Sequence, residues 1–447
     1  MIENPTALRW LALGIFVAGF GSFLAFEKHR HFLAPVVAAL VVGLGLMGPL
    51  DAFLAVDWQI IGIFFATLVA AEIFMLSGAA ALSAEAILSK LRRPSWAILA
   101  LAALTGLLSA FVENVACVLI AAPVALSLAR RLKMSPQPIL VACALSSNLQ
   151  GCGLLVGDPP SMLLAQEARF TFFDFIWHAG RPSIFWSVQA GAIAGLAFLY
   201  FVFRKYKGEV EVERRVELVG VLPSVCLAGV VAALAVDTQI EGGIGWGALA
   251  GTSVFALISF GWYVAETRFH VPPEEEVQRA LLRHRLSGAA SFFRGLDWKT
   301  TIFLICIFVP VTALEKFGWI RELADGIQVV SGGSRLAVFV ILVGAAMTAS
   351  AFVDNVPFLL VMLPAVSQLG TALGVQGQPV FLYFGLLLGA SVGGNITPVG
   401  AQANIAAVGF LRRQGEPVSL GSYMKLSIPY TLIAIGAACA LTYITFG

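Results

Sequence analysis

Two carboxylates stand inside apolar runs of this sequence, and an asparagine follows each of them. Glu113 lies in "AFVENVACVLIAAP" and Asp354 lies in "AFVDNVPFLLVMLP". A carboxylate in hydrocarbon is costly, and by default it marks a pathway for ions or protons. Glu113 and Asp354 are therefore candidates for proton coupling. The alternative is a structural role, in which each carboxylate caps the helix that follows it.

Glycines, prolines and polar residues interrupt two further apolar segments, "SNLQGCGLLVGDPPS" at 147–161 and "ASVGGNITPVGAQAN" at 390–404. Such runs cannot hold a regular helix. Unpaired backbone at membrane depth survives only where protein or a water-filled cavity covers it. We therefore expect the two interruptions and the two carboxylate tips to form one site for a substrate or ion. Its candidate residues are Glu113, Asn114, Cys117, Ser147, Asn148, Gln150, Gly151, Cys152, Asp354, Asn355, Ser391, Gly394, Asn395, Thr397 and Asn404.

Asp158, in the stretch Gly-Asp-Pro-Pro, is a third candidate for proton coupling. It precedes two prolines, which favour the first positions of a helix. A cap on the second half of a broken helix is the competing interpretation. Glu72 is a further buried candidate, either a proton relay or a partner for a neighbouring helix.

The four segments form two matched pairs. Residues 110–115 match 351–356 at an offset of 241 (354 − 113), and residues 147–161 match 390–404 at an offset of 243 (390 − 147). The chain is therefore a duplication. Basic residues flank the first tip on both sides, at 92–93 and 130–133, so this segment must enter the membrane and return. The same counting places the ends of the second hairpin on the opposite side, which gives two repeats of inverted topology, as in many secondary transporters.

Composition sets the class of protein. Of the 447 residues, 59% are hydrophobic and 12% are charged, whereas soluble proteins carry about 25% charged residues. Apolar stretches of the roughly 20 residues that a membrane helix needs recur along the chain. The sequence predicts an all-α polytopic membrane protein with about ten transmembrane helices plus two re-entrant hairpins. Most lysines and arginines then fall in cytoplasmic loops, which places both termini outside the inner membrane.

The predicted domains follow from this topology. Residues 1–50 form amino-terminal helices. Residues 51–218 form the first inverted repeat, with a hairpin at about 97–132 and a broken helix at about 136–168. Residues 219–445 form the second, with a cytoplasmic linker at 265–299, a hairpin at about 335–372 and a broken helix at about 378–411. We expect no function for the linker.

Several classes of protein are disfavoured. The five histidines fall in predicted loops, so we expect neither a histidine relay nor a metal site. The sequence lacks a phosphate-cradling Gly-Lys loop, so an ATPase within this chain is unsupported. The net charge of +2 does not indicate nucleic acid as a partner. We expect no enzymatic activity and no cofactor beyond a proton or sodium ion that drives transport. A channel with the same polar gaps stays open as an alternative.

The paired motifs resemble those of the ion transporter superfamily, which includes citrate transporters. The arsenite-efflux (ArsB) and NhaD-type sodium/proton antiporter branch is the most similar. The resemblance implies a scaffold domain and a mobile transport domain that moves as an elevator. Several relatives are homodimers, so a homodimer is one of the states that the resemblance allows. The sequence leaves open the oligomeric state and a cytoplasmic ATPase partner.

Departures from the NhaD-type pattern concern the substrate. Such relatives usually carry Asp-Asn-Val-Thr-Thr at the first tip, where this chain has Glu113 to Cys117. At the first break, Cys152 stands where a threonine is usual. One oxygen cage for sodium is thus weakened, and the two thiols suit a soft substrate such as neutral trihydroxy-arsenic. We expect proton-coupled efflux of a small inorganic solute such as arsenite, by alternating access. A sodium/proton antiporter and a sodium-coupled anion or carboxylate transporter are the alternatives.

Overall fold

The computed structural model describes residues 5–26, 29–206, 218–241, 243–269, 288–352 and 355–447. Asp354 and residues 270–287 of the predicted linker therefore lie outside the described residues. The described chain is almost entirely helical, which confirms the predicted fold class.

The first half of the chain contains ten helices. They are α1 (Pro5–Ala25), α2 (Arg30–Gly43), α3 (Pro49–Leu54), α4 (Trp58–Leu76), α5 (Ala79–Leu88), α6 (Pro94–Ser109), α7 (Asn114–Arg131), α8 (Gln137–Gly151), α9 (Pro159–Ala168) and α10 (Ile184–Phe203). Between α9 and α10, a 3-10 turn at Phe173–Phe175 precedes a short antiparallel pair, β1 (Trp177–His178) and β2 (Arg181–Pro182), in which Trp177 faces Pro182.

The second half contains ten more described helices. They are α11 (Leu222–Glu241), α12 (Trp246–Phe269), α13 (Gly288–Gly295), α14 (Trp298–Lys316), α15 (Trp319–Ser331), α16 (Arg335–Ser350), α17 (Asn355–Ala372), α18 (Val380–Gly393), α19 (Gln402–Arg413) and α20 (Leu420–Phe446), with a 3-10 turn at Gly394–Ile396. Within the described ranges, nine helices are long and apolar enough to cross a membrane: α1, α4, α7, α10, α11, α12, α14, α17 and α20.

The duplication extends beyond the motifs that first indicated it. Asp57 caps α4 by accepting a hydrogen bond from the N–H of Ile60, and Asp297, 240 positions later, caps α14 by accepting one from the N–H of Thr300, each at 3.1 Å. A tryptophan follows each cap. The indole N–H of Trp58 donates to the carbonyl of Phe53, and that of Trp298 donates to the carbonyl of Phe293. The sequence therefore encodes the same local start for both helices.

Two short helices connect two bundles. The first bundle consists of α1, α2, α4, α11, α12 and α14, which pack on one another. The second bundle consists of α6 to α10 and α16 to α20. α5 leads from α4 to α6, and α15 leads from α14 to α16. Gly78 and Gly318 precede these connecting helices with positive φ angles of 81° and 80°, a conformation that favours glycine.

The centre of the second bundle is formed by α8 and α18. Every residue of α18 is buried, and so is every residue of α8 from Ile139 to Gly151. A helix that is apolar all round belongs in the interior of a large protein. The two hairpins, α6–α7 and α16–α17, pack around this centre. The first helix of each hairpin ends at Ser109 or Ser350, and the second begins at Asn114 or Asn355, so the turns keep the offset of 241.

Candidate functional site

A cavity of about 640 Å³, counting the part that opens to the outside, lies where the two bundles meet. The first bundle lines it with Phe64 and Leu68 of α4 and with Asp297 and Thr300 at the start of α14. The second bundle contributes both hairpin tips and both broken helices. These lining residues are Glu113, Asn114, Asn148, Asp158, Pro159, Pro160, Asn355, Val356, Ser391, Ala401, Gln402 and Ala403.

A chain of asparagine amides joins the first tip to both breaks. Asn114 Nδ2 lies 3.4 Å from Asn148 Oδ1. Asn148 Nδ2 donates to Asn395 Oδ1 at 2.8 Å and to Asn404 Oδ1 at 3.1 Å. Because an amide both donates and accepts, these four side chains can bond in sequence through the interior. Asn148 therefore connects the first repeat to the second.

The asparagines also satisfy backbone that the breaks leave without helical partners. Asn404 Nδ2 donates to the carbonyls of Gly394 at 2.9 Å and Thr397 at 3.2 Å, and Asn395 Nδ2 donates to the carbonyl of Leu145 at 3.1 Å. Buried carbonyls need such partners. In this arrangement Asn395 and Asn404 hold the second break in shape, and neither is among the residues that line the cavity.

Side-chain hydroxyls form hydrogen bonds between each hairpin tip and the broken helix beside it. In the first repeat, Ser147 Oγ donates to Ser109 Oγ at 2.8 Å, and Ser109 Oγ donates to Asn114 Oδ1. In the second repeat, Ser350, the counterpart of Ser109, donates to the carbonyl of Ala390, and Thr397 Oγ1 donates to the carbonyl of Ala351. Each tip is thus fixed to the break beside it by hydrogen bonds.

Glycine is required where the backbone of each break crosses itself. A Cβ atom on Gly157 would lie 2.1 Å from the carbonyl oxygen of Gly151. At the matching positions of the second repeat, a Cβ atom on Gly400 would lie 2.6 Å from the carbonyl oxygen of Gly394. No side chain fits at either distance, which explains why glycine recurs at positions 157 and 400, at the repeat offset of 243.

Glu113 occupies the first tip as the N-cap residue of α7, but its side chain makes no cap hydrogen bond. It faces the cavity, where Asp297 and Glu72 are near enough to interact with it electrostatically. The backbone N–H groups of Val115 and Ala116, in the first turn of α7, also interact with this carboxylate, so a capping role and a transport role both stay open for Glu113. A carboxylate next to other carboxylates favours a shared proton or cation.

Asp158 does act as a cap. Its Oδ1 accepts hydrogen bonds from the backbone N–H of Ser161 at 3.2 Å and from Ser161 Oγ at 2.8 Å. This geometry fits the capping interpretation of Asp158, although its side chain also lines the cavity. Asn355 begins α17 and lines the cavity from the second tip. Its neighbour Asp354 lies outside the described residues, so its role as a proton carrier stays a prediction.

Ser391 also lines the cavity, and its hydroxyl is close enough to the Cys152 thiol to interact with it. Its side chain is 3% exposed, and its Oγ has no hydrogen-bond partner of normal geometry. A buried hydroxyl without a partner costs about 1–3 kcal/mol.

The two thiols lie behind the cavity wall. Cys117 Sγ points to the carbonyl of Val112 at 3.7 Å, and Cys152 Sγ donates to the carbonyl of Leu149 at 3.1 Å, beside Ser391. Neither sulfur lines the cavity. Among the described residues, no cluster of histidine, cysteine and carboxylate groups could hold a metal ion. The residues that the sequence singled out but that also lie behind the wall are Ser147, Gln150, Gly151, Gly394, Asn395, Thr397 and Asn404.

Three polar residues of the cavity were not among those predicted from the sequence: Asp297, Thr300 and Gln402. Asp297 falls within the predicted cytoplasmic linker, for which we expected no function. The structure instead places it at the start of α14, facing Glu113. The repeated Asp-Trp pair at 57–58 and 297–298 is the sequence signal that could have identified it.

The fold and the site define a polytopic helical transporter with two broken helices. Residues 22–389 and 280–447 match the model of the citrate transporter family CitMHS, so the chain belongs to that family. A Mycobacterium tuberculosis H37Rv protein described as an uncharacterized transporter is 28% identical over 98% of this chain and 99% of its own. The mouse P protein is 22% identical over 94% of this chain and 58% of its own.

Solved structures share the fold. The YdaH transporter of Alcanivorax borkumensis superposes with a TM-score of 0.56 and 13% identity over 98% of both chains. MtrF of Neisseria gonorrhoeae, which is described as belonging to a class of antimetabolite efflux pumps, gives a TM-score of 0.53 and 14% identity over 92% of this chain and 84% of that one. None of these similarities singles out the arsenite-efflux or NhaD-type branch.

Proposed function

We propose that this protein is a proton-coupled secondary transporter that moves a small cation across the inner membrane by alternating access. The single observation that carries the proposal is the position of Glu113. Its carboxylate lies at a hairpin tip and lines a polar cavity between two bundles, near Asp297 and Glu72. An ionisable group in such a place is suited to take up and release the coupling proton while neighbouring groups bind the cation.

The charges around the cavity favour a cation as the solute. Its described lining contains Glu113, Asp158 and Asp297, and among these described residues there is no lysine or arginine. The other polar groups are amides and hydroxyls, which suit a hard cation such as sodium. A bare tricarboxylate such as citrate would meet repulsion here unless protons or a bound cation neutralised its charge.

Arsenite becomes the second candidate. The prediction of arsenite as the substrate depended on Cys117 and Cys152. Their sulfurs contact the carbonyls of Val112 and Leu149 and do not line the cavity. The cavity still offers a neutral trihydroxy solute the amide groups of Asn114, Asn355 and Gln402. Efflux of arsenite therefore requires that oxygen and nitrogen groups, rather than thiols, bind it.

The division into bundles supports an elevator movement. α5 and α15 are the short helices that connect the two bundles, while each tip is hydrogen-bonded to its own broken helix. The second bundle is thus suited to move as one body along the first. In this proposal the first bundle is the scaffold and the second carries the solute.

Purified protein in proteoliposomes with an internal pH dye tests the function. We expect addition of sodium or lithium to move protons, and Glu113→Gln to abolish that movement. The matched control is Glu416→Gln, which removes an exposed carboxylate that accepts a hydrogen bond from Ser135. A pH change with arsenite alone would favour the second candidate. A pH change with citrate alone would overturn the cation proposal.

A further inference from the structure

At the cavity wall a hydrogen bond joins the two bundles, in addition to the bonds that Thr238 and Gln239 of α11 make with the segment between α9 and α10. Gln402 Nε2, at the first residue of α19, donates to Thr300 Oγ1, in the first turn of α14, at 3.1 Å. Thr300 Oγ1 donates in turn to Asp297 Oδ2 at 2.5 Å. Thr300 is buried, so water does not easily replace this bond. The three residues form a relay from the solute-carrying bundle to the scaffold.

The other repeat cannot form this relay. The counterpart of Asp297 is Asp57, which keeps its capping role. At the offset of 240, the counterpart of Thr300 is Ile60, and at the offset of 243 the counterpart of Gln402 is Pro159. Neither of these two side chains can donate or accept a hydrogen bond. The relay therefore exists on one side of the inverted pair only.

The cavity also contacts α14 and α4 at different distances from the first residue of each helix. It contacts α14 at its first turn, through Asp297 and Thr300, but contacts α4 farther along, at Phe64 and Leu68. If the two repeats exchanged their arrangements, the cavity would contact α4 at Asp57 and Ile60. The cavity contact would then shift along α4 by seven or eight residues, which is about 10–12 Å because a helix rises 1.5 Å per residue. A hydrogen bond of 3.1 Å cannot persist through such a movement.

We propose that Thr300 and Gln402 form a latch that closes in only one of the two end states and raises the population of that state. This inference rests on the alternating access proposed above. Thr300 and Gln402 are positioning residues, because they act on the bundle that carries the solute. Their loss should change the ratio of the two states by about fivefold, which corresponds to about 1 kcal/mol, the net contribution of one hydrogen bond.

Pulsed electron-electron distance measurements test the latch without any solute. The six native cysteines are first replaced by alanine, and spin labels are attached at Lys299 on the scaffold and Arg412 on the other bundle, two exposed positions. In lipid nanodiscs we expect a dominant distance and a minor one. Thr300→Val should increase the minor population about fivefold, because valine keeps the shape and removes the hydroxyl. Gln402→Leu should do the same from the other bundle.

Two controls isolate the bond. Thr300→Ser keeps the hydroxyl and should restore the original distribution. Thr301→Val removes a neighbouring hydroxyl that donates within α14, to the carbonyl of Asp297, and should change nothing. If Thr300→Val shows two distances whose populations have the same ratio as in the original protein, the latch is overturned and alternating access is left intact. A single distance in every variant would overturn both the latch and the movement.

Discussion

Asn148 of α8 donates a hydrogen bond from Nδ2 to Oδ1 of Asn395, 2.8 Å away, and thereby joins the breaks of two inverted repeats. The same nitrogen donates to Asn404, and the Asn148 oxygen faces Asn114. One buried side chain thus determines how the two halves of the site fit together. The position of the first tip relative to the second break depends on it.

Replacing Asn148 by alanine should destabilise the protein. The change leaves the buried oxygens of Asn395 and Asn404 without this donor, and each unsatisfied group costs about 1–3 kcal/mol. We expect the free energy of unfolding to fall by about 2–4 kcal/mol, measured by thermal unfolding in detergent. Gln137→Ala, which removes an exposed hydrogen bond to Ser422, should cost less than about 0.5 kcal/mol. Equal effects of both substitutions would contradict a central role for Asn148.

Replacing Glu113 by glutamine should separate proton coupling from solute binding. Glutamine keeps the shape and cannot titrate. We expect solute uptake driven by a pH gradient to fall at least about tenfold, the equivalent of about 1.4 kcal/mol. Exchange of labelled solute against unlabelled solute, without a gradient, should persist. If both activities disappear together, Glu113 binds the solute directly and another group carries the proton.

Replacing the capping carboxylate of α14 should weaken the binding of a cation in the cavity between the two bundles. Asp297→Asn keeps one acceptor for Thr300 and removes a negative charge near Glu113. We expect the apparent affinity for a cation to fall about threefold to tenfold, or about 0.7–1.4 kcal/mol, as measured by the concentration dependence of sodium-driven proton movement. Asp57→Asn removes the equivalent charge from the other repeat and serves as the control. A larger effect of Asp57→Asn would mean that the cavity is entered from the α4 end.

Much of this architecture follows from patterns along the chain. The all-α class follows from long apolar runs. The repeat follows from motifs whose glycines and asparagines face the same packing demands in both halves. Gly157 and Gly400 illustrate this, since each lies where a carbonyl leaves no space for a side chain. Local steric requirements of this kind are visible in a sequence.

Contacts between distant residues were not predictable in the same way. Cys152 was grouped with Asn148 because both lie in the first break. The Asn148 side chain, however, faces Asn114, Asn395 and Asn404, whereas the sulfur of Cys152 donates to the carbonyl of Leu149. Asp297 was missed because its meaning depends on a neighbour 184 positions away (297 − 113). Which bundle a helix joins is decided by tertiary packing, and a single sequence does not specify it.

Serine at the two thiol positions tests the revised view of the substrate. Cys117 and Cys152 both direct their sulfurs to backbone carbonyls, and a serine hydroxyl can make the same bond. We expect Cys117→Ser and Cys152→Ser to change transport of every solute by less than about twofold, since buried cysteines act as small packing groups. If only arsenite transport were lost, the two thiols would have to take part in binding arsenite.

The pair Asp174 and His178, in the loop after α9, predicts an acid dependence of stability. Asp174 Oδ2 accepts hydrogen bonds from the N–H of Thr171 at 2.8 Å and from Thr171 Oγ1 at 2.6 Å, and its Oδ1 lies 2.7 Å from His178 Nδ1. Partial burial opposes ionisation of this carboxyl group, but the hydrogen bonds from His178 and Thr171 outweigh that effect and lower the pKa of Asp174.

A carboxyl group whose pKa is lower in the folded state stabilises the protein above its ordinary pKa of about 3.9, and this stabilisation is lost as the pH falls through the folded value. We therefore expect Asp174→Asn to lower the free energy of unfolding by about 1–2 kcal/mol at pH 7. The difference from the original protein should shrink below about pH 4. Thermal unfolding at pH 7, 5, 4 and 3 measures it. Asp325→Asn, at an exposed position of α15, should show no such trend. A difference that stays constant down to pH 3 would mean that Asp174 acts through packing rather than through its charge.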